Sequence, residues 1–175
     1  MFEDYIQDAY SFYGLAESAG NEREAKKFYR AAVFCAASSM EAFMNFIGDT
    51  FKQGDNLDKN ELAFITDKIL EFSPSKLKVL EKIKFNPIDE KVKFIIKRFN
   101  VGLDFSSSSE WTNFLIFKDL RDGLIHPKSI YDERLLSDYK LSIKKGLNSI
   151  IDLINLISLK LFSKPLRKSV AELKV

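Results

Sequence analysis

Apolar residues recur every three or four positions over a long run near the C-terminus: Leu136, Tyr139, Ile143, Leu147, Ile150, Ile154 and Leu161. That spacing places them on one face of a helix and predicts a single amphipathic helix over about residues 132–162. Phe2 to Ala19 shows the same spacing through Tyr5, Ile6, Ala9, Phe12, Tyr13 and Ala16, with Gly20 placed to stop it. Asn21, followed three residues later by Glu24, has the form of a capping box. A second long helix is therefore expected from Glu22 to about Phe51. Helices of this length and patterning must bury their apolar faces against one another. The expected fold class is all-α, a bundle of about six or seven helices.

The middle of the chain reads the same way. Asp58 to Phe72 is expected to be a helix with Leu62, Ile65, Ile69 and Leu70 on one side. Ser73-Pro74 and Asn86-Pro87 each look like an N-cap followed by proline at the first helical position. They predict two shorter helices, ending near Phe85 and Asn100. Ser106 to Ser109 is a polar stretch suited to cap a helix from Glu110, and Pro127 limits that helix at its other end. No strand is expected: the alternation in Lys91-Val92-Lys93-Phe94 is short and continues as Ile95-Ile96. Lys164 to Val175 reads as a basic tail. With no internal repeat, residues 1–175 are expected to form one domain.

Composition narrows the function classes. Gly and Pro total eleven, too few for a loop-rich β-sandwich, and the sixteen Phe need a closely packed interior. Hydrophobic residues at 46% and charged residues at 30% argue against disorder. A lone cysteine, Cys35, rules out an intrachain disulfide and suits a reducing compartment such as the cytoplasm. It lies in an apolar helix, where it is expected to pack rather than react. Met1-Phe2-Glu3-Asp4 lacks the basic and apolar parts of a secretory signal. No uninterrupted apolar window reaches the length of a membrane span, so no membrane association is expected. One His and one Cys give no metal-ligand spacing, and no Gly-rich phosphate loop is present, so no metal or cofactor is expected. From Lys76 to Arg98 eight basic residues face three acidic ones, whereas Met1 to Lys27 carries six acidic and three basic. The basic stretch fits either contact with a polyanion or a solvated lysine-rich face.

Two places break the apolar pattern. Ala31 to Gly48 is nearly uncharged and is expected at the centre of the bundle, yet it contains Glu41. At about 100° per residue, Ser38, Glu41 and Asn45 fall on one narrow stripe. A carboxylate there needs a partner or a wet cavity. The second break is Arg121, which projects from the arc formed by Trp111, Phe114, Phe117 and Leu124. Arg121 and Glu41 are expected near each other, as a structural salt bridge or as part of a site. His126 follows Arg121 by five residues, about 140° around an ideal helix. Gly123 and Pro127 loosen this end, so the histidine can turn away from the helix axis. Asp122, four residues before His126, is placed to orient the ring, or else is a solvated residue.

The run Arg121-Asp122-Gly123-Leu124-Ile125-His126 resembles the Arg-x4-6-His motif of the HEPN superfamily, including the polar residue often found after the arginine. The stretch Ala36-Ala37-Ser38-Ser39-Met40-Glu41-Ala42-Phe43-Met44-Asn45 is similar to the earlier core helix of stand-alone HEPN proteins. The resemblance covers about residues 22–51 and 110–162; residues 53–109 read as a helical elaboration and residues 164–175 as the tail.

The resemblance implies a metal-independent endoribonuclease, a toxin or antiviral-defence effector, acting as a homodimer through the motif helices. Arg121 and His126 would be catalytic, with Asp122, Glu41 and Asn45 in support and Ser38 behind them. It equally allows a non-catalytic module that binds a nucleotide, or a protein partner such as a nucleotidyltransferase antitoxin. The chemistry can be argued on its own terms. A ribose 2′-hydroxyl attacks the adjacent phosphate when a base takes its proton and an acid supplies the leaving oxygen, and imidazole performs either task near neutrality. Arginine matches the phosphate oxygens with paired donors. One histidine cannot be acid and base in a single step, whereas a two-fold dimer supplies two.

Overall fold

The computed structural model describes residues 1–52, 54, 56–76, 78–127 and 134–173. Helix α1 (Phe2–Glu17) packs along α2 (Glu22–Phe51) after a short turn, and α5 (Ser109–Ile125) packs along α6 (Leu136–Phe162), which also crosses α2. The smaller α3 (Lys59–Ile65) and α4 (Ile88–Arg98) lie on α2, and α7 (Lys168–Ala171) closes against α1 and α6. The expectation of a mainly helical bundle holds, with seven helices among the described residues.

The helix starts follow the local chemistry. The Asn21 side chain accepts the Glu24 N–H at 2.9 Å, and Ser108 accepts the Trp111 N–H at 3.0 Å. Asp58 and Glu61 form a reciprocal capping box at the start of α3. The expected start of α6 at Asp132, and the last two residues of the tail, lie outside the described residues.

The core is one contiguous cluster drawn from all four long helices. Met40, Phe43 and Ile47 of α2 meet Phe114 and Phe117 of α5 and Tyr139, Ile143 and Ile150 of α6, all buried. Burial of each such side chain stabilises the fold by about 1.5–3 kcal/mol relative to exposure. Gly146 lets α5 and α6 approach closely, because a β-carbon there would overlap the Phe117 side chain. Among the described residues α2 alone is long and apolar enough to cross a bilayer, with a mean hydropathy of 1.3 in its most apolar stretch, half of it buried within the bundle. This qualifies the expectation that no segment has the makings of a span. A helix that faces α1, α5 and α6 acquires the same composition.

The middle of the chain differs from the expected all-helical reading. The helix expected over 58–72 ends at Ile65, and residues 68–73 and 78–83 are antiparallel strands, β1 (Lys68–Ser73) and β2 (Lys78–Ile83). Ser73-Pro74 is the turn of this hairpin, with the Lys76 N–H bonded to the Ser73 carbonyl, rather than a helix start. The helix expected to end near Phe85 is therefore absent. Asp67 explains the switch. Its φ of +57° breaks the helix, and its carboxylate accepts the Asn86 N–H at 2.8 Å and the Lys91 ammonium at 2.6 Å. Its carbonyl takes the Lys84 N–H at 2.9 Å. These partners lie seventeen to twenty-four residues away, so no local pattern shows them. Asn86-Pro87 does precede a helix, with Pro87 rather than Asn86 at the cap.

Glu17 ties three helices together. It accepts a hydrogen bond from Tyr29 and pairs with Lys140. Burial pushes its carboxyl up, but the bonds from Lys140 and Tyr29 outweigh this and hold it below the ordinary value of 4.5. A carboxyl lowered in the folded state stabilises above its unfolded pKa and loses that contribution as pH falls through the folded value. Glu17→Gln protein is expected to melt below wild type at pH 7, with the gap closing near pH 3. Scanning calorimetry at both pH values checks this; a gap of equal size at pH 3 would assign the loss to something other than charge.

Candidate active site

The stripe expected on α2 is the floor of a groove. Ser38, Glu41, Asn45 and Asp49 line a cavity of about 740 Å³, together with Arg121 and Ile125 of α5 and residues of the α1 N-terminus. Phe34 and Phe46, both partly exposed, form apolar rims. The opposite face of α2, with Met40, Phe43, Met44 and Ile47, is in the core. One helix thus supplies both core and site, because the apolar and polar residues differ in angular position rather than in sequence region.

Arg121 sits where α5 leaves the core. Trp111, Phe114, Phe117 and Leu120 before it are buried, whereas its own side chain is 23% exposed. Its Nε lies 3.2 Å from Asp122 Oδ1, within ion-pair range, but the angles do not make a hydrogen bond and the atom is sealed from solvent. An enclosed donor of this kind is costly unless something takes it up. The Arg134 guanidinium lies against the backbone of Gly123, two residues on, where a β-carbon would collide with it.

Glu41 has its partner, but the partner is not Arg121. Lys91 of α4, 0% exposed, reaches Glu41 at 3.2 Å and Asp67 at 2.6 Å. Arg121 and Glu41 share the groove as expected, while the cation that neutralises Glu41 comes from the segment read as elaboration. Periodicity had no means of finding Lys91, since a lysine on an amphipathic helix ordinarily faces water.

His126 is the C-cap of α5 and is exposed; its N–H donates to the Asp122 carbonyl at 2.9 Å. Its φ of −121° and ψ of 67° take it out of helical geometry, as proline at the next position favours. It does not belong to the groove lining, which at this end is made by Arg121 and Ile125. Asp122 holds Lys118 at 3.0 Å and neighbours Arg121, so its carboxylate serves two cations, and its link to His126 runs through the main chain. Burial lowers the Lys118 ammonium, but Asp122 and Asp89 outweigh it and raise the group above its ordinary value. The Cys35 thiol is pushed up by burial, with Asp8 adding to the effect, which suits a packing residue rather than a nucleophile.

No family model, curated protein or solved structure matches this chain. The site therefore stands on its own chemistry: a partly exposed guanidinium in the lining of a groove, an imidazole open to solvent five residues further, and two carboxylates, Glu41 and Asp122, engaged by Lys91 and Lys118. Such a set can bind an anion and move a proton beside it.

Proposed function

We propose that this chain is a metal-independent endoribonuclease of the HEPN type that acts as a homodimer in the cytoplasm, with the role of a toxin or an antiviral-defence effector. The observation that carries the reading is the position of Arg121, which lines the groove with its side chain 23% exposed, five residues before an exposed His126 at the end of the same helix. In the proposed reaction the 2′-oxygen attacks the adjacent phosphorus, the 5′-oxygen leaves, and a 2′,3′-cyclic phosphate forms. One His126 takes the hydroxyl proton, the dimer mate's imidazole protonates the leaving oxygen, and Arg121 holds the charge that builds on the phosphate oxygens. Two-fold symmetry about the α5 ends brings the second pair to the same phosphodiester.

A second reading is favoured by one feature. His126 lies outside the groove lined by Arg121, Glu41 and Asn45. A non-catalytic module would use that groove to hold a nucleotide or a protein partner such as a nucleotidyltransferase antitoxin, and would need no histidine. Incubation of the wild-type protein with end-labelled RNA in EDTA separates the two. Cleavage with cyclic phosphate termini is expected; intact RNA, with a nucleotide retained by the protein, would favour the binding module.

A further inference from the structure

A second cleft continues the Arg121 groove. It has a volume of about 460 Å³ and lies between α2, α3 and the hairpin, with Asn45 and Asp49 common to both cavities. From Ser38 to Lys52 the α2 stripe runs for about 21 Å at 1.5 Å per residue. Lys52 at the C-cap of α2, Lys59 of α3 and Lys68 of β1 line the cleft. Its carboxylates are Asp49 and Glu81, and Glu81 is neutralised by Lys68 across the strands.

The hairpin presents one face to this cleft. In an antiparallel pair, directly opposed residues point to the same side and alternate along the strand. Lys68 pairs with Ile83, Leu70 with Glu81 and Phe72 with Val79. Lys68, Leu70 and Glu81 line the cleft, so Phe72 and Val79 continue the same face at its mouth. They are 62% and 59% exposed, and Ile83 is 77% exposed. Phe85, just past the strand, is 84% exposed. An open aromatic ring at the mouth of a lysine-lined cleft makes a surface that takes phosphate and an unstacked base together. A cleft of this size excludes a duplex, and aromatic stacking requires bases freed from pairing.

We propose that this cleft is a binding site for single-stranded RNA, with Lys52 and Lys59 contacting the backbone and Phe72 stacking on a base. The proposal rests on the reading of the Arg121 groove as the place of cleavage, and it gives the hairpin the task of holding the strand that runs on from it.

Binding to an uncleavable probe tests it without relying on cleavage. The probe is a fluorescein-labelled 2′-O-methyl oligouridylate, long enough to run through both cavities, and fluorescence anisotropy gives its Kd over a range of salt. The Lys52→Gln/Lys59→Gln protein is expected to bind about tenfold more weakly, with a salt slope shallower by about 1.4. Phe72→Ser is expected to weaken binding about fivefold or more with the slope unchanged. Lys164→Gln, at an exposed position outside the cleft, is expected to match wild type. Melting curves establish that each variant is folded. Wild-type affinity in both cleft variants would overturn the proposal, as would a preference for anionic phospholipid vesicles or a folded protein over the probe. If RNA is still cut with cyclic phosphate ends while both cleft variants bind normally, the cleft fails and the nuclease reading stands. If the cleft variants lose binding but wild-type protein cuts nothing, the nuclease reading fails and the cleft stands.

Discussion

His126→Ala protein is expected to cleave RNA about 10²–10⁴ times more slowly than wild type, the range for losing a positioned general acid–base. Its melting temperature is expected to stay within about a degree, because the side chain is exposed and the helix end is held by the main-chain bond from residue 126 to Asp122. The experiment is a rate measurement on labelled RNA in EDTA beside a thermal melt of each protein. A cleavage rate equal to wild type would remove the imidazole from the mechanism. Arg121→Ala is expected to lose cleavage as well, without a large loss of stability. Its removal leaves Glu41 still paired with Lys91, so no carboxylate is stranded. This differs from the expectation in which Arg121 was the counter-ion of Glu41. Mixed dimers add a sharper check. A dimer of one wild-type and one His126→Ala protomer keeps both guanidiniums but a single imidazole, and it is expected to cleave at far less than half the wild-type rate if both histidines serve one phosphodiester.

The largest expected change in stability follows from Lys91→Met. The ammonium is fully buried and joins Asp67, at the base of the hairpin, to Glu41 on α2. Methionine fills the same space but leaves two carboxylates facing an apolar neighbour. Removing one partner of a buried charge cluster costs about 3–5 kcal/mol. Glu41 and Asp67 both retain some exposure, at 38% and 22%, and Asp67 keeps the Asn86 N–H, which places the expectation at the lower end, about 3 kcal/mol. For a chain of this size that corresponds to a drop of about 6–12 °C in Tm. Urea denaturation and calorimetry measure it. The Lys91→Met/Asp67→Asn double variant is expected to be more stable than the sum of its single changes, since neutral Asn has no lost cation to answer for. Additive effects would show that Lys91 and Asp67 do not act as a pair.

The sequence by itself determined the long helices and the stripe on α2. The bounds of α2, the N-cap at Asn21, the serine cap of α5, and the shared face of Ser38, Glu41 and Asn45 depend on residues within one or two turns of each other. Physics that local is written in spacing. The release of His126 from the helix was legible for the same reason, through Pro127 beside it. Tertiary structure decided the rest. Residues 68–83 can form helix or strand by composition, and contacts from Lys84, Asn86 and Lys91 to Asp67 chose the hairpin. The partner of Glu41 was chosen in the same way, by a lysine fifty residues distant that burial has turned into an interior cation. An ion pair or a strand register between distant segments depends on which surfaces the folded core brings within a few ångströms, and that is a property of the packed chain rather than of any window along it.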